Sequence, residues 1–582
     1  GPDREPWNPH VPTPWRVVPA MQPAPCVYNR AVIAGLDFLL VELARRDMTA
    51  VLVLGNTWPF TGGFAQYVAW ATGKEIPYPP PAEGGNWDAF QQFVKDFFGS
   101  AEARALHAAH VRYVVGRTNA ISGVAYADDP TIMAWELANE PRPMRGAAAF
   151  REWIGATAAL VRALAPRQLV ALGSEGTTPL PQSYVGIDPR AEHAAGNLSY
   201  LAIHLWPGNW GWLEGAPDAA AGGGAGATNR TANETVAPAL KKAAAYVEHH
   251  LAIAADLGMP LVVEAFGAPR DGAEATRCAA DATTAVRDRF AAGVYEMVTQ
   301  RRARGAIAGA ALWNWGGEAR PREAGALWKA GDPLIDPPHE RQGGTAVYHN
   351  DTPTLRAVYH AAAHLSSARA CWLPLPVEGA ESRAAARAAA EAGSGDDTGS
   401  AARDESLPAA TERWLELGGA DRGAVQLALA AQRATGGEEA ESPRGPSYTS
   451  YDESEGDDDE AAGSPFVRAE GTKLWRFGEP YRFVGANLWQ AMHLGADADA
   501  GGDRARLVRE LDRLQALGVA NLRVMAASEG PDESDESVGA GLVDLALSVG
   551  SATPWRVLPA MQPSPGLYND GVVAGLDFLL VE

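Results

Sequence analysis

The sequence predicts an α/β fold, a TIM-type (β/α)8 barrel that is circularly permuted or incomplete in this chain, with strands three to eight first and strands one and two at the C-terminal end. Three observations predict it. Over residues 13–373 short apolar runs alternate with amphipathic stretches, giving six strands joined by five connections, which is the grammar of parallel βα units. Two further strands with a helix between them lie at 481–487 and 519–525. Finally, residues 13–42 recur as 553–582, with 23 of 30 positions identical at a constant offset of 540, which a shared helix pattern cannot produce. Two strands precede the second copy and six follow the first; together they make the eight that close a barrel.

Each element has its own signal. Val32, Leu36, Leu39, Leu40 and Leu43 fall at helical spacing, and Val51-Leu52-Val53-Leu54-Gly55 reads as a buried strand. A helix over 106–115 leads to a strand over 131–136, and a helix over 150–164 to a strand over 169–173. A strand over 200–204, a helix over 236–257 and a strand over 260–264 follow; a helix over 285–304 and a strand over 306–313 complete the run. In the late piece, Leu507, Leu511, Leu514 and Leu517 share one face of a helix over 503–517.

Composition divides the chain into 1–376, the main part of the barrel; 377–465, a linker; and 466–582, the opening part of a second, similar module. The linker is rich in Ala, Gly, Ser and acid, including YDESEGDDDEAAGS, and such clustered like charge cannot repay the entropy of ordering; only 409–433 has helical character. A Gly-rich stretch over 219–234 reads as an exposed insertion after the sixth strand. The chain opens Gly1-Pro2-Asp3, without a signal-peptide pattern, and closes inside the repeated helix, so it reads as a piece of a longer polypeptide.

With 49 Lys+Arg against 71 Asp+Glu in 582 residues, the net charge of −22 argues against a nucleic-acid partner and against a polybasic membrane contact. No apolar run reaches the length of a bilayer-spanning helix. Three cysteines (Cys26, Cys278, Cys371) form neither a disulfide framework nor a CxxC metal site, so no metal and no cofactor are expected. Eighteen Trp exceed ordinary usage and suit a sugar cleft, where flat rings stack on pyranose faces, although most belong to the core.

In such a barrel the chemistry sits at the C-terminal strand ends. The fourth strand ends Trp135-Glu136-Leu137-Ala138-Asn139-Glu140-Pro141-Arg142 and the seventh ends Val263-Glu264-Ala265-Phe266-Gly267. Two carboxylates facing each other across a barrel mouth are the minimum equipment for glycoside hydrolysis. A single Glu at a strand end is more often a cap or a surface charge; the pair is much less easily incidental.

The strings ISGVAYADDPTIMAWELANEPR, PLVVEAFG, HLWPGNWGW and VLVLGNTWPFTGGFAQYVAWA resemble the endo-β-1,4-mannanases of glycoside hydrolase family five. The resemblance covers about 13–373 and, for the opening units, 466–582. It implies an endo-acting retaining hydrolase of β-1,4-mannosidic linkages in mannan, glucomannan or galactomannan. Glu140 would be the acid/base, its pKa raised to keep it protonated, and Glu264 the ionised nucleophile braced by Arg523. Asn139 would bond the sugar 2-OH, with His204 at the sixth strand end and Trp313 as the platform for the −1 sugar. Trp58, Arg142 and Glu175 would line the leaving side; read on its own, Glu175 is either such a residue or an ordinary loop carboxylate. The chain departs from the family at Trp206, since many members carry Tyr there to bond the nucleophile, and an indole N–H can donate but cannot titrate. Trp210 and Trp212 read either as cleft walls or as loop packing.

The resemblance further implies a secreted, monomeric protein with a polysaccharide partner. Four sequons, at Asn197, Asn229, Asn233 and Asn350, agree weakly with secretion. The alternatives are a β-1,4-glucanase of the same broad family and an inactive carbohydrate-binding module. The late strands are expected to complete the barrel in cis, with 566–582 and 26–46 competing for one helix position.

Overall fold

The computed structural model describes residues 15–77, 87–180, 185–213, 231–272, 276–279, 282–301, 307–365 and 463–531. Most of the acidic linker, the second copy of the repeat, most of the Gly-rich insertion, Asn229 and Cys371 lie outside the described residues.

The strands are β1 (Thr49–Val53), β2 (Ile132–Glu136), β3 (Leu169–Ala171), β4 (Leu201–Leu205), β5 (Leu261–Phe266), β6 (Ile307–Leu312), β7 (Trp315–Gly317) and β8 (Val347–Tyr348). After them come β9 (Arg468–Glu470), β10 (Lys473–Arg476), β11 (Glu479–Tyr481), β12 (Phe483–Asn487) and β13 (Asn521–Met525). The helices are α1 (Arg30–Ala44), α2 (Gly63–Thr72), α3 (Trp87–Gly99), α4 (Ala101–Val115), α5 (Ala147–Leu164), α6 (Pro189–Gly196), α7 (Ala232–Leu257), α8 (Ala285–Gln300), α9 (Thr352–Leu365), α10 (Ala491–Gly495) and α11 (Arg504–Ala516).

Eight strands form one parallel sheet in the order β3-β2-β1-β13-β12-β6-β5-β4. Its two ends are tied: Ser199 N–H donates to Val170 O at 2.8 Å and His204 N–H to Glu175 O at 3.1 Å. The sheet is therefore a nearly closed barrel. The two late strands lie between β1 and β6, where Asn521–Met525 runs beside Thr49–Val53 and Phe483–Ala486 beside Gly309–Leu312.

Periodicity explains most of this layout. Leu52, Ile203, Val263 and Phe266 point outward into the helical shell, while Ala134, Ala202, Val262, Ala308 and Phe483 fill the lower barrel interior. Helix starts carry their caps: the Asn29 side chain accepts from Ala31 N–H and Val32 N–H before α1, and Thr231 with Glu234 makes a capping box on α7. Helix α1 lies so close to α10 that a Cβ at Gly35 would sit 1.9 Å from Met492 O, so this crossing requires glycine.

Two regions differ from the sequence expectation. The run 481–487 breaks at Arg482, because Glu479–Tyr481 belongs to a three-stranded antiparallel sheet with β9 and β10. That small sheet presses Val467 and Leu474 into the barrel floor. The helix expected over 106–115 begins at Ala101 and follows a second helix, α3.

Candidate active site

The barrel's polar interior has two layers. The upper one is built around Glu140, in the loop after β2, whose φ of 49° is the left-handed conformation that non-glycine residues rarely adopt. The residue is 5% exposed and its carboxyl is cradled by three rings. His204 Nδ1 lies 2.5 Å and Trp206 Nε1 2.7 Å from Oε1, and Trp58 Nε1 donates to Oε2 at 2.6 Å. A carboxylate only accepts, so His204 donates through Nδ1. Burial pushes the Glu140 pKa up, but the His204 hydrogen bond and charge, the Arg142 charge and the Trp58 donor outweigh it and hold the group down to about 2. The expectation of a raised value is therefore corrected.

Beside it, Arg142 grips Glu175 in a two-pronged pair at 2.8 and 3.0 Å, donates to Gln91 Oε1 at 2.9 Å, and stands 4.9 Å over the Trp58 ring. Glu175 is thus a buried partner of Arg142 and no loose loop charge; burial and the Glu140 charge raise its pKa against the pull of Arg142. Trp313, at the end of β6, meets Trp206 edge-on with ring centres 5.9 Å apart. Trp210 and Trp212 are buried against each other and against Tyr246, so they are loop packing.

The lower layer holds Glu264, Glu136, Arg523 and Tyr200. Glu264 Oε1 accepts from the Tyr200 hydroxyl at 2.7 Å, while Oε2 is buried with no hydrogen-bond partner. Arg523 does not bond Glu264, contrary to the expected brace. It donates to both oxygens of Glu136, at 2.7 and 2.5 Å, to Asn139 Oδ1 at 2.8 Å and to Asn487 Oδ1 at 3.2 Å. Burial and the neighbouring Glu136 charge push the Glu264 pKa up to about 8, against the charge of Arg523 and the Tyr200 hydrogen bond. The expected ionised state of Glu264 is corrected accordingly. Asn139 is oriented from both sides, since its Nδ2 also donates to Asn56 Oδ1 at 3.1 Å.

Trp206 likewise serves a different carboxyl from the one anticipated, Glu140 instead of Glu264. The hydroxyl on Glu264 comes from Tyr200, one residue before β4, which sequence reading passed over as an ordinary strand residue. Glu136 was passed over in the same way. Its signal was a charged residue inside an otherwise apolar strand, which needs a buried partner. Among the described residues no group of three or more His, Cys, Asp or Glu could hold a metal ion, and none of the helices is long and apolar enough to cross a membrane.

A nearly closed parallel barrel with buried carboxyls, an arginine and tryptophans converging at its strand ends defines a glycosidase-type α/β barrel. The chain belongs to glycoside hydrolase family 5, in its β-mannosidase-like branch, whose family model matches residues 8–370 and 464–582. It is 34% identical over 317 residues to the putative mannan endo-1,4-beta-mannosidase 5 of Oryza sativa subsp. japonica, covering 51% of this chain and 56% of that protein. It is 31% identical over 202 residues to mannan endo-1,4-beta-mannosidase 1 of Solanum lycopersicum, covering 33% of this chain and 48% of that one. The chain thus spans about half the length of these curated relatives. Among solved structures, the glycoside hydrolase family 5 mannosidase from Rhizomucor miehei matches with 31% identity and a TM-score of 0.50, over 60% of this chain and 80% of that one.

Proposed function

We propose that the chain is an endo-acting glycoside hydrolase for β-1,4-mannosidic linkages in mannan-type polysaccharides. The observation that carries this is the Glu140 cradle, a single carboxyl at the barrel mouth held by His204, Trp206 and Trp58 within a family 5 framework. Relatives named as mannan endo-1,4-beta-mannosidases support the sugar, and a form of the Rhizomucor miehei mannosidase in complex with mannosyl-fructose supports a mannosyl subsite.

In this reading Glu140 delivers a proton to the leaving glycosidic oxygen and later takes one from water. It takes up that proton from water as the sugar binds, and His204 keeps its own. Glu264 is the carboxyl on β5 that attacks C1 once ionised, forming the C1–O bond as the bond to the leaving oxygen breaks. Asn139, held by Arg523 and Asn56, presents its amide to the sugar 2-OH. Trp313 forms the floor of the sugar site, and Arg142 with Glu175 lines the leaving side.

The domain reading extends this proposal: 466–582 is the opening part of a second module whose first two strands complete the first barrel in cis, and the acting protein is secreted and monomeric. Parallel assays on mannan, glucomannan, carboxymethylcellulose and xylan test the substrate. Release of reducing ends from mannan is expected; hydrolysis of cellulose alone would overturn the reading. Deleting 466–582 tests completion, with loss of solubility and activity expected and a soluble, fully active deletion contradicting it.

A further inference from the structure

The pairing of β4 with β5 slips by one residue: Ile203 lies opposite Val263, His204 opposite Ala265, and Leu205 opposite Phe266. Residues paired in a parallel sheet share a face, and one extra residue in one strand puts two consecutive side chains on the same side. Ile203, Val263, Leu205 and Phe266 all point outward into the helical shell. Between the outward residues of β4 there is one inward residue, His204; between those of β5 there are two, Glu264 and Ala265. The lower of the two is Glu264, which reaches down to Tyr200 at the start of β4 and lies against Glu136. The upper is Ala265, buried and in register with His204, whose ring bonds Glu140.

We infer that position 265, occupied by Ala, is the place on β5 that faces Glu140 across the sugar's C1, and that turnover is limited because the attacking carboxylate must come from Glu264, one layer below. The inference rests on the β-mannosidase reading and deepens it by naming the position that sets the rate of glycosyl-enzyme formation.

The test compares wild type, A265E and the double variant A265E/E264Q on an activated β-mannosyl fluoride and on its 2-deoxy-2-fluoro analogue. In each case a carboxylate oxygen forms the bond to C1 while the C1–F bond breaks and fluoride leaves with the electron pair. Displacement of a reacting group by an ångström costs about 10²-fold, so A265E is expected to gain about that factor in kcat. The gain should persist in A265E/E264Q, and mass spectrometry of the trapped enzyme should find the sugar on the introduced carboxylate. A folded A265E without gain, or one that loses activity when E264Q is added, overturns the inference. Should A265E fail to fold, wild type decides: slow trapping of Glu264, outpaced when formate is supplied as a free carboxylate, supports it, and rapid trapping that formate does not alter contradicts it. If only β-glucosyl fluoride reacts and A265E accelerates that, the substrate reading fails and the placement of position 265 stands. If the mannoside reacts and A265E adds nothing, the reverse holds.

Discussion

The two polar layers of the barrel contain the same functional group in equally dry surroundings and treat it in opposite ways. Glu140 is held down to about 2 and Glu264 pushed up to about 8, although both are almost wholly buried. Burial alone favours the neutral carboxyl in both places. What differs is the company: Glu140 has three ring donors and Arg142 nearby, whereas Glu264 has one hydroxyl and must share Arg523 with Glu136, which takes its direct hydrogen bonds. Donor count and the sign of the neighbour set the proton, while depth in the barrel does not.

The largest effect that sharpens this contrast is expected at Glu140. Glu140→Gln should lower hydrolysis of mannan by about 10²–10⁴-fold, the usual contribution of acid/base help, and far less with an activated leaving group. Equal losses on both substrates would remove the upper layer from the proton-transfer step. Next comes Arg523→Ala, which strips the buried partner from Glu136 and leaves two carboxyls facing each other. Loss of one partner from a buried pair costs about 3–5 kcal/mol, so a fall in unfolding free energy of that order is expected, together with lost activity. A variant as stable as wild type would show that Glu136 finds another cation.

A smaller shift should follow Tyr200→Phe. The hydroxyl lowers the Glu264 pKa, so its removal raises the group further and moves the rising limb of the kcat/KM profile to higher pH. The stability linkage has the corresponding sign. The fold keeps the Glu264 proton that the unfolded chain has lost, so this group's contribution is fully present below the ordinary carboxyl range and disappears as pH rises towards 8. Smallest is Trp206→Phe, which removes one of three donors to Glu140 and should cost about 0.5–1.5 kcal/mol of transition-state energy. A loss as large as that of E140Q would make the indole more than one donor among three.

In the upper layer Glu140 was legible from position, as a carboxylate just beyond an apolar run where a barrel displays its chemistry, whereas Arg142, Glu175, His204 and Trp206, which meet there, were implied by the resemblance. The lower layer was not. Glu136 and Tyr200 lie within or at the edge of strands and look like strand residues until their partners are known. Arg523 was singled out by the resemblance as the brace of Glu264, yet alternation could not say which of two carboxyls it bonds, and it bonds Glu136. The bulge at Glu264–Ala265 is invisible for a related reason: a period of two predicts faces only while the register holds, and a one-residue slip leaves no mark in local composition. The small sheet under the barrel, too short and too polar on one side to show alternation, appeared only through Val467 and Leu474.

Infrared difference spectra of wild type against E140Q and against E264Q, recorded as a function of pH, compare the two layers most directly. The predicted result is that E264Q removes a protonated-carboxyl band that persists at neutral pH and fades near pH 8, and that E140Q removes a carboxylate band surviving into strong acid. A protonated band at neutral pH that vanishes with E140Q and remains in E264Q would contradict the opposed settings of the two carboxyls.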